Sequence, residues 1–369
     1  MLPDERPASE PELDRVRGML LGGALGDALG NPVEFLDISS LRAEYGPDGI
    51  TSPAVGSSGS AEITDDTQLT LFTLEGLIRG HHRLRLDNPP DPEAVVLNAV
   101  HAAYLRWLHT QHETVPAVRL TGSLITHSRL FVCRSPGNTC LTALRATSYA
   151  GAAPGSIHRR LNDSKGCGAV MRAAPAGLWP GSPEQVFQLG VGAAALTHSH
   201  PTGYLAAGTF AVLIRELLSG RSLTDALTAA RAAVHGWPGH EDVLTSLDAA
   251  QRLADRGRLT PADLTGRLGG GWVAEEALGI AVCSALCARD FADGVRLAVN
   301  HSGDSDSTGA IAGNILGAQL GYVGLPPEWL ETLELREVID ALARDAVAEL
   351  GSAEPEPDPV TWRDRYPPD

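Results

Sequence analysis

The chain is 369 residues long, with 43% hydrophobic and 20% charged residues, a composition typical of folded globular proteins. Its formal net charge of −16 repels phosphate backbones and argues against a general nucleic-acid-binding protein. No basic and apolar leader opens the sequence, and no apolar run approaches the roughly 20 residues that cross a bilayer, so we expect a cytoplasmic protein without membrane contact.

The five cysteines are odd in number and form no C-x-x-C pair. Cys283 and Cys287 lie in an apolar helical stretch, where a free cysteine usually acts as a small core residue. We therefore expect a reducing compartment, no disulfide framework and no zinc site.

The predicted elements are almost all helices, because apolar residues recur three and four positions apart in Ala- and Leu-rich stretches. In chain order these stretches are 93–108, 183–197, 203–219, 223–235, 241–255, 273–288 and 333–350. Strand patterns are sparse, and Pro and Gly clusters mark short loops rather than a linker. The sequence predicts an all-α fold with a single domain over residues 12–350 and loosely ordered extensions at 1–11 and 351–369.

Two further helices carry a glycine at every fourth position. These glycines are Gly18, Gly22, Gly26 and Gly30 in one helix and Gly309, Gly313, Gly317 and Gly321 in the other. A glycine inside a helix costs about 1 kcal/mol relative to alanine. A face made of glycines predicts that another backbone packs closely there, and the alternative is a composition biased toward Ala and Gly. Each helix has an acidic motif at one end, so close packing would bring the two motifs together.

The first acidic motif is Thr64-Asp65-Asp66-Thr67, directly before the apolar run from Leu69 to Ile78. Four oxygen-bearing side chains at a helix start suit hard divalent cations. The alternative is a helix cap, in which Asp65 and Gln68 form a capping box and the acids favour the positive end of the helix.

The second acidic motif is Asp304-Ser305-Asp306-Ser307-Thr308, and three interpretations are open. A calcium EF-hand loop needs a glutamate at its twelfth position, where this chain has Ile315. A D-x-D-x-T phosphatase needs a buried strand before Asp304, and residues 298–303 turn polar too early for one. In the third interpretation Asp304, Asp306 and Ser307 share one metal site with the first motif.

Two more acids lie near the first glycine helix. Asp27 is close to the carboxyl end of that helix, where its charge opposes the helix dipole and indicates a local partner or a function. Glu34 follows seven positions later. The alternative for each is an ordinary surface acid.

Together these residues resemble the ADP-ribosylglycohydrolase family, which includes the dinitrogenase-reductase-activating glycohydrolases and the ADP-ribosyl-arginine hydrolases. Seven segments carry the resemblance, in family order over roughly residues 15–330. They are GMLLGGALGDALGNPVEF (18–35), ITDDTQLTLFTLEGL (63–77), RSPGNTCLTAL (134–144), SKGCGAVMRAAPAGL (164–178), LTHSHPTGYLAAG (196–208), GGGWVAEEAL (269–278) and HSGDSDSTGAIAGNILGAQLG (301–321).

The resemblance implies a compact orthogonal helical domain with two Mg²⁺ or Mn²⁺ ions in a central cleft. The metal ligands that it implies are Thr64, Asp65, Asp66, Asp304, Asp306 and Ser307. Many relatives have Thr where this chain has Ser307, and the hydroxyl is kept. Glu34 matches a family glutamate at the metal and ribose edge of the site.

The resemblance also implies a substrate-binding set. Its members here are Ser164, Lys165, Gly166, Cys167, Gly168, Asn138, His198 and Asp27. The loop 164–168 matches the family segment that cradles ribose and diphosphate, and its glycines and following helix would present backbone amides to phosphate. The alternatives are a plain glycine-rich helix entry for the loop, a helix cap for Asn138 and a solvated side chain for Lys165. We expect a structural role for His200.

The implied activity is hydrolysis of the N- or O-glycosidic bond at the distal ribose, through an oxocarbenium-like state. Asp65 or Asp66 is the expected general base, and Glu34 is a gate or second acid. The segment 166–173 and Ser307 favour ADP-ribosyl-arginine on protein as the substrate, with ADP-ribose as the product. Serine-linked, nucleic-acid or small-molecule conjugates stay open, as do a non-catalytic ADP-ribose-binding protein and the phosphatase.

Overall fold

Sixteen α-helices account for most of the chain in a computed structural model that describes residues 10–257, 259–351 and 360–367. They are α1 (Glu10–Gly30), α2 (Ile38–Tyr45), α3 (Asp65–Leu86), α4 (Pro92–Thr110), α5 (Asn138–Ala146), α6 (Pro183–Ala195), α7 (Pro201–Leu218), α8 (Leu223–Val234), α9 (Glu241–Ala254), α10 (Pro261–Leu268), α11 (Ala274–Cys287), α12 (Phe291–Val299), α13 (Ser305–Leu320), α14 (Pro327–Thr332), α15 (Arg336–Leu350) and α16 (Val360–Arg365). Within the described ranges the only β contacts are three isolated bridges. The all-α prediction is confirmed.

The predicted helical stretches coincide with real helices, and their boundaries follow from local chemistry. The stretch 333–350 begins three residues too early, because Leu335 adopts a left-handed backbone with φ of 57° and α15 starts only at Arg336. The eight- and nine-residue helices α2, α10 and α12 were not predicted, since two turns contain too few apolar repeats to define a period. None of the described helices is long and apolar enough to cross a bilayer.

The two glycine faces pack against each other, as predicted. A Cβ added to Gly22 would lie 2.5 Å from the carbonyl oxygen of Gly313, and one added to Gly26 would lie 1.9 Å from that of Gly309. Helices α1 and α13 therefore run antiparallel with their backbones in contact, and Asn314 Nδ2 donates to the carbonyl of Met19 at 2.8 Å. This seam brings the carboxyl end of α1 beside the amino end of α13.

Around the seam, α3 packs on α1, α4 and α15, while α11 and α12 cover α13 from the other side. Further from it, α7 packs between α6 and α8, and α9 packs on α11. The core contains almost every large apolar side chain of these helices, including Phe72, Trp107, Phe187 and Phe210. Cys283 is part of this core, and all five cysteines are free.

The two predicted extensions are described only in part. Residues 1–9, 352–359 and 368–369 lie outside the described residues, and α1 already begins at Glu10. Within residues 360–367, α16 extends from Val360 to Arg365, and the side chain of Tyr366 is completely buried. The Tyr366 hydroxyl donates to Asp345 at 2.5 Å, and Arg365 pairs with the same carboxylate at 2.9 Å. The aromatic residues of this short segment give it an apolar face that the preceding EPEPDP run lacks.

Candidate active site

The first acidic motif lies at the start of α3, and neither of its carboxylates caps the helix. Thr64 is the N-cap, and its hydroxyl accepts from the backbone N–H of Asp66 at 3.2 Å. The capping-box alternative is wrong, because Asp65 is the first residue inside the helix and Gln68 instead accepts from the Trp107 indole at 3.0 Å. Asp65 and Asp66 are both buried. The motif therefore presents two carboxylates at a helix start that capping does not need.

The carboxylate of Asp27 is hydrogen-bonded to the first turn of α3. It is fully buried, and its carboxylate accepts from the N–H groups of Thr64 and Thr67 at 3.0 and 3.1 Å and from the Thr67 hydroxyl at 2.5 Å. Burial raises the pKa of Asp27 to about 6, although the Thr67 hydrogen bond acts to lower it. The sequence prediction grouped Asp27 with the substrate-binding residues, whereas in the structure its oxygens contact the first turn of α3.

The second acidic motif lies at the amino end of α13, which the glycine seam holds beside the end of α1. Asp304 is the N-cap residue, and Asp306 and Ser307 are in the first turn. Carboxylate oxygens of Glu34, Asp304 and Asp306 all lie within 4.8 Å of one another. After burial, the charge of Asp66 is the largest cause that raises the pKa of Asp306, which shows that the two motifs lie side by side. The structure thus brings the acids of the two motifs near one another, and their role as metal ligands stays a prediction.

The other two interpretations of the second motif do not fit this geometry. Helix α12 and a short loop precede Asp304, so the buried strand of a D-x-D-x-T phosphatase is missing from this described segment. The twelfth position of the supposed EF-hand, Ile315, is completely buried in the middle of α13. The interpretation with a shared acidic site is the one that the fold supports.

The acidic side chains of this cluster lie close together and buried, and the charge of each one disfavours ionisation of the others. Burial, and then the neighbouring carboxylates, raise the pKa of Asp65, Asp66 and Asp306 well above the usual value. Burial and the charge of Asp304 raise the pKa of Glu34 to about 8. Among the described residues, Asp66 Oδ2 has no hydrogen-bond partner although it is buried. Crowded carboxylate and hydroxyl oxygens with an unsatisfied lone pair suit divalent cations such as Mg²⁺ or Mn²⁺.

The loop 164–168 runs alongside this cluster. The Cys167 thiol lies 2.7 Å from Asp304 Oδ2, and its backbone N–H donates to the Trp272 carbonyl at 3.2 Å. The Ser164 hydroxyl accepts from the Gly166 N–H at 3.2 Å and lies 3.0 Å from the Thr139 hydroxyl. A Cβ on Gly168 would come within 3.1 Å of a neighbouring thiol, so packing alone already favours glycine there.

The remaining predicted binding residues have different surroundings. Lys165 is paired with Glu275 and lies 3.6 Å from Asp242, so carboxylates of the protein surround its charge. Asn138 is exposed at the start of α5, where Gly137 and not Asn138 is the N-cap.

The two histidines differ in role. Burial, and then the charge of Arg172, lower the pKa of His198 to about 3, which keeps its imidazole neutral behind the loop 164–168. His200 caps α7 by accepting from the Thr202 N–H at 3.2 Å, which confirms the structural role that we expected for it.

Sequence reasoning missed several residues that shape the site. Arg134 holds the backbone of Asp65, whose N–H donates to the Arg134 carbonyl at 3.4 Å, and the backbone of Gly137 acts to lower the pKa of the Asp65 carboxyl. Arg172 is buried beneath the loop 164–168, where it donates to the Thr197 hydroxyl at 2.6 Å and lies over the Tyr104 ring. A lone arginine in the apolar run AVMRAAP was the available signal. Two exposed aromatic residues at the edge of the site were missed as well.

Comparison with known proteins agrees with this geometry. A profile of the ADP-ribosylglycohydrolase family matches residues 8–356. The chain is 27% identical over 340 residues to the ADP-ribosyl-(dinitrogen reductase) glycohydrolase of Rhodospirillum rubrum, covering 89% of this chain and 95% of the relative. It is 27% identical over 338 residues to the ADP-ribosylarginine hydrolase Tri1 of Serratia proteamaculans, with 91% and 80% covered.

A more distant relative and a solved structure extend the same comparison. The ADP-ribosylhydrolase ARH3 of Mus musculus is 24% identical over 372 residues, with 90% of each chain covered. A solved structure described as an ADP-ribosylglycohydrolase-related protein complex superposes with a TM-score of 0.62 at 26% identity, covering 97% of this chain and 100% of that one. Because the profile spans almost the whole sequence and the solved structure shares the fold, the chain belongs to the ADP-ribosylglycohydrolase family.

Proposed function

We propose that the protein hydrolyses the glycosidic bond between ADP-ribose and an arginine side chain of a modified protein and releases ADP-ribose. Membership of the family supports hydrolysis of an ADP-ribose linkage. The observation that carries the proposal is the buried cluster of Glu34, Asp65, Asp66, Asp304 and Asp306 beside a glycine-containing loop. The arginine linkage is supported by the name of one relative, the ADP-ribosylarginine hydrolase. A protein acceptor is supported by the name of another relative, the ADP-ribosyl-(dinitrogen reductase) glycohydrolase.

Within this proposal the cluster holds two divalent cations, Mg²⁺ or Mn²⁺. Their ligands are Thr64, Asp65, Asp66, Asp304, Asp306 and Ser307. When bound, such cations supply Lewis-acid polarisation and a lowered pKa for water. Asp65 or Asp66 takes the proton from the attacking water, and Glu34, at the edge of the cluster, acts as a gate or second acid. Asp27 acts through Thr64 and Thr67 and is a positioning residue.

Within the same proposal, the loop 164–168 beside the acidic cluster binds the substrate. We assign the diphosphate and ribose to the loop 164–168, with contacts from those backbone amides that do not already donate within the protein as the amides of Ser164, Gly166 and Cys167 do. Lys165 is not part of this assignment, because Glu275 and Asp242 already neutralise its charge. Asn138 is exposed at the adjoining helix start and is available to the ligand. The negative charge of the cluster stabilises the positive charge that develops on the ribose ring during cleavage.

The test is release of ADP-ribose from two substrates, one modified on arginine and one on serine. Each is incubated with the purified protein and Mg²⁺ or Mn²⁺, and again with EDTA. We expect metal-dependent release from the arginine-linked substrate. Release from the serine-linked substrate alone would reassign the acceptor. Binding of ADP-ribose with no release from either substrate would point instead to a non-catalytic ADP-ribose-binding protein.

A further inference from the structure

Two exposed aromatic rings lie stacked at the edge of the acidic cluster. Phe35 is 72% exposed and Trp272 is 46% exposed, although both are large apolar side chains. Their ring centroids are 5.9 Å apart and the ring planes differ by 21°. The two residues come from distant parts of the sequence, and both side chains remain accessible to solvent. We call this pair the aromatic platform.

The backbone on both sides of the platform is tied to the candidate active site. Phe35 directly follows Glu34, and the turn that carries both is closed by the Leu36 N–H donating to the Val33 carbonyl at 3.0 Å. On the other side, the Trp272 carbonyl accepts from the Cys167 N–H at 3.2 Å. Two residues earlier, the Gly270 carbonyl accepts from the Asp304 N–H at 2.8 Å. The platform is therefore held against the acidic cluster from two directions.

Aromatic faces beside carboxylates favour a flat cation. A guanidinium group stacks on aromatic rings and is weakly hydrated, so it gains from the rings and can donate its N–H groups to the carboxyl oxygens of the neighbouring cluster. In an arginine-linked substrate the guanidinium is bonded directly to the ribose carbon that is attacked. It must then lie within one bond of the reaction centre, where a serine-linked substrate has only a neutral oxygen.

We infer that Phe35 and Trp272 bind the guanidinium of the ADP-ribosylated arginine and so determine the acceptor preference of the enzyme. This inference rests on the proposed function and adds the residues that select the linkage. The nucleotide part of the substrate, in contrast, is assigned to the loop 164–168 and not to the platform.

The experiment compares Phe35→Ala, Trp272→Ala and the conservative Trp272→Phe with the wild type. Val323→Ala is the matched control, because Val323 is 82% exposed just beyond the opposite end of α13. Two quantities are measured with metal present: kcat/KM for an arginine-linked substrate, and Kd for free ADP-ribose by calorimetry. We expect each alanine variant to lose about fivefold to tenfold in kcat/KM, mainly through KM, while Trp272→Phe and Val323→Ala stay within about twofold. The Kd for ADP-ribose should not change, since ADP-ribose lacks the acceptor.

Each other outcome has a distinct meaning. If the alanine variants weaken ADP-ribose binding as much as they reduce kcat/KM, the platform binds the nucleotide and the inference is wrong. An unchanged kcat/KM in both alanine variants would also overturn it, while leaving the proposed function intact. If the wild type itself fails to cleave the arginine linkage, the proposed function has failed, and the acceptor assignment fails with it.

Discussion

The carboxylates of the cluster are hydrogen-bonded mainly to neutral donors. Asp304 accepts from the thiol of Cys167 at 2.7 Å, and the hydrogen-bonding causes that lower the pKa of Asp65 and Asp66 are the neutral groups of Gly137 and Ser307. Neutral donors orient a carboxylate without cancelling its charge, and the pKa of each of these acids is accordingly raised by burial. Such a cluster is costly to fold empty and is suited to binding cations.

Replacing one of these carboxylates by an amide should stop the reaction. Asp65→Asn and Asp304→Asn each keep the size of the side chain but remove a charged ligand, so we expect the rate of ADP-ribose release to fall by about 10²- to 10³-fold or more. The control is Asp87→Asn, since Asp87 caps the opposite end of the same helix α3 and is exposed. Near-wild-type turnover in either of the first two variants would contradict the assignment of the site.

Residues whose role depends on a neighbour in sequence could be predicted, and those that depend on a distant partner could not. The acidic motifs were recognisable because their oxygen-bearing side chains are adjacent in the chain. The contact of Asp27 with α3 required the relative position of two helices. The ion pair of Lys165 with Glu275 joins residues 110 positions apart, so the sequence showed only a lysine in a loop. Phe35 and Trp272 were overlooked for the same reason.

Among the helices, α1 and α13 were predictable as a pair because the glycine period of four matches one turn of a helix. The close approach that this period implies is observed at Gly18, Gly22, Gly26 and Gly30 against α13. Sequence gave no comparable signal for the way α3 joins this pair. That arrangement depends on Asp27 and on apolar packing distributed over many residues.

Replacing a glycine by alanine should lower the stability of the protein where the glycine is packed against another backbone, and not where the glycine faces open space. In Gly22→Ala the new Cβ would lie 2.5 Å from the Gly313 carbonyl oxygen. We expect overpacking of this kind to lower the free energy of unfolding by about 1–3 kcal/mol. In Gly266→Ala, within α10, the Cβ meets nothing within 4 Å, and we expect a gain of up to about 1 kcal/mol from helix propensity. Urea unfolding measures both changes, and equal effects in the two variants would count against the close packing of α1 on α13.

At the scale of the whole molecule, the site joins segments that are far apart in sequence into one unit. The proposed metal ligands come from the starts of α3 and α13, and Glu34 lies beside them in the turn after α1. A cation bound among them would connect these segments only in the folded state. Binding should therefore act on the stability of the entire domain and not only on catalysis.

Addition of metal should raise the melting temperature. At a cation concentration about 100 times its Kd, one site adds about 2.7 kcal/mol to the free energy of unfolding. We expect Mg²⁺ or Mn²⁺ to increase the Tm in differential scanning fluorimetry and EDTA to reverse the increase. The shift should be largely lost in Asp304→Asn. The same shift in this variant as in the wild type would mean that the cation binds elsewhere.

The glycine seam also has a consequence for how the protein is made. The hydrogen bond from Asn314 to Met19 spans 295 positions of the chain. At a synthesis rate of about 5–20 residues per second, α1 leaves the ribosome roughly 15–60 s before its partner exists. Throughout that interval its apolar side chains, such as Met19, Leu21 and Leu25, lack the surroundings that finally bury them. For most of its synthesis the chain therefore lacks the helix against which the glycine face of α1 finally packs.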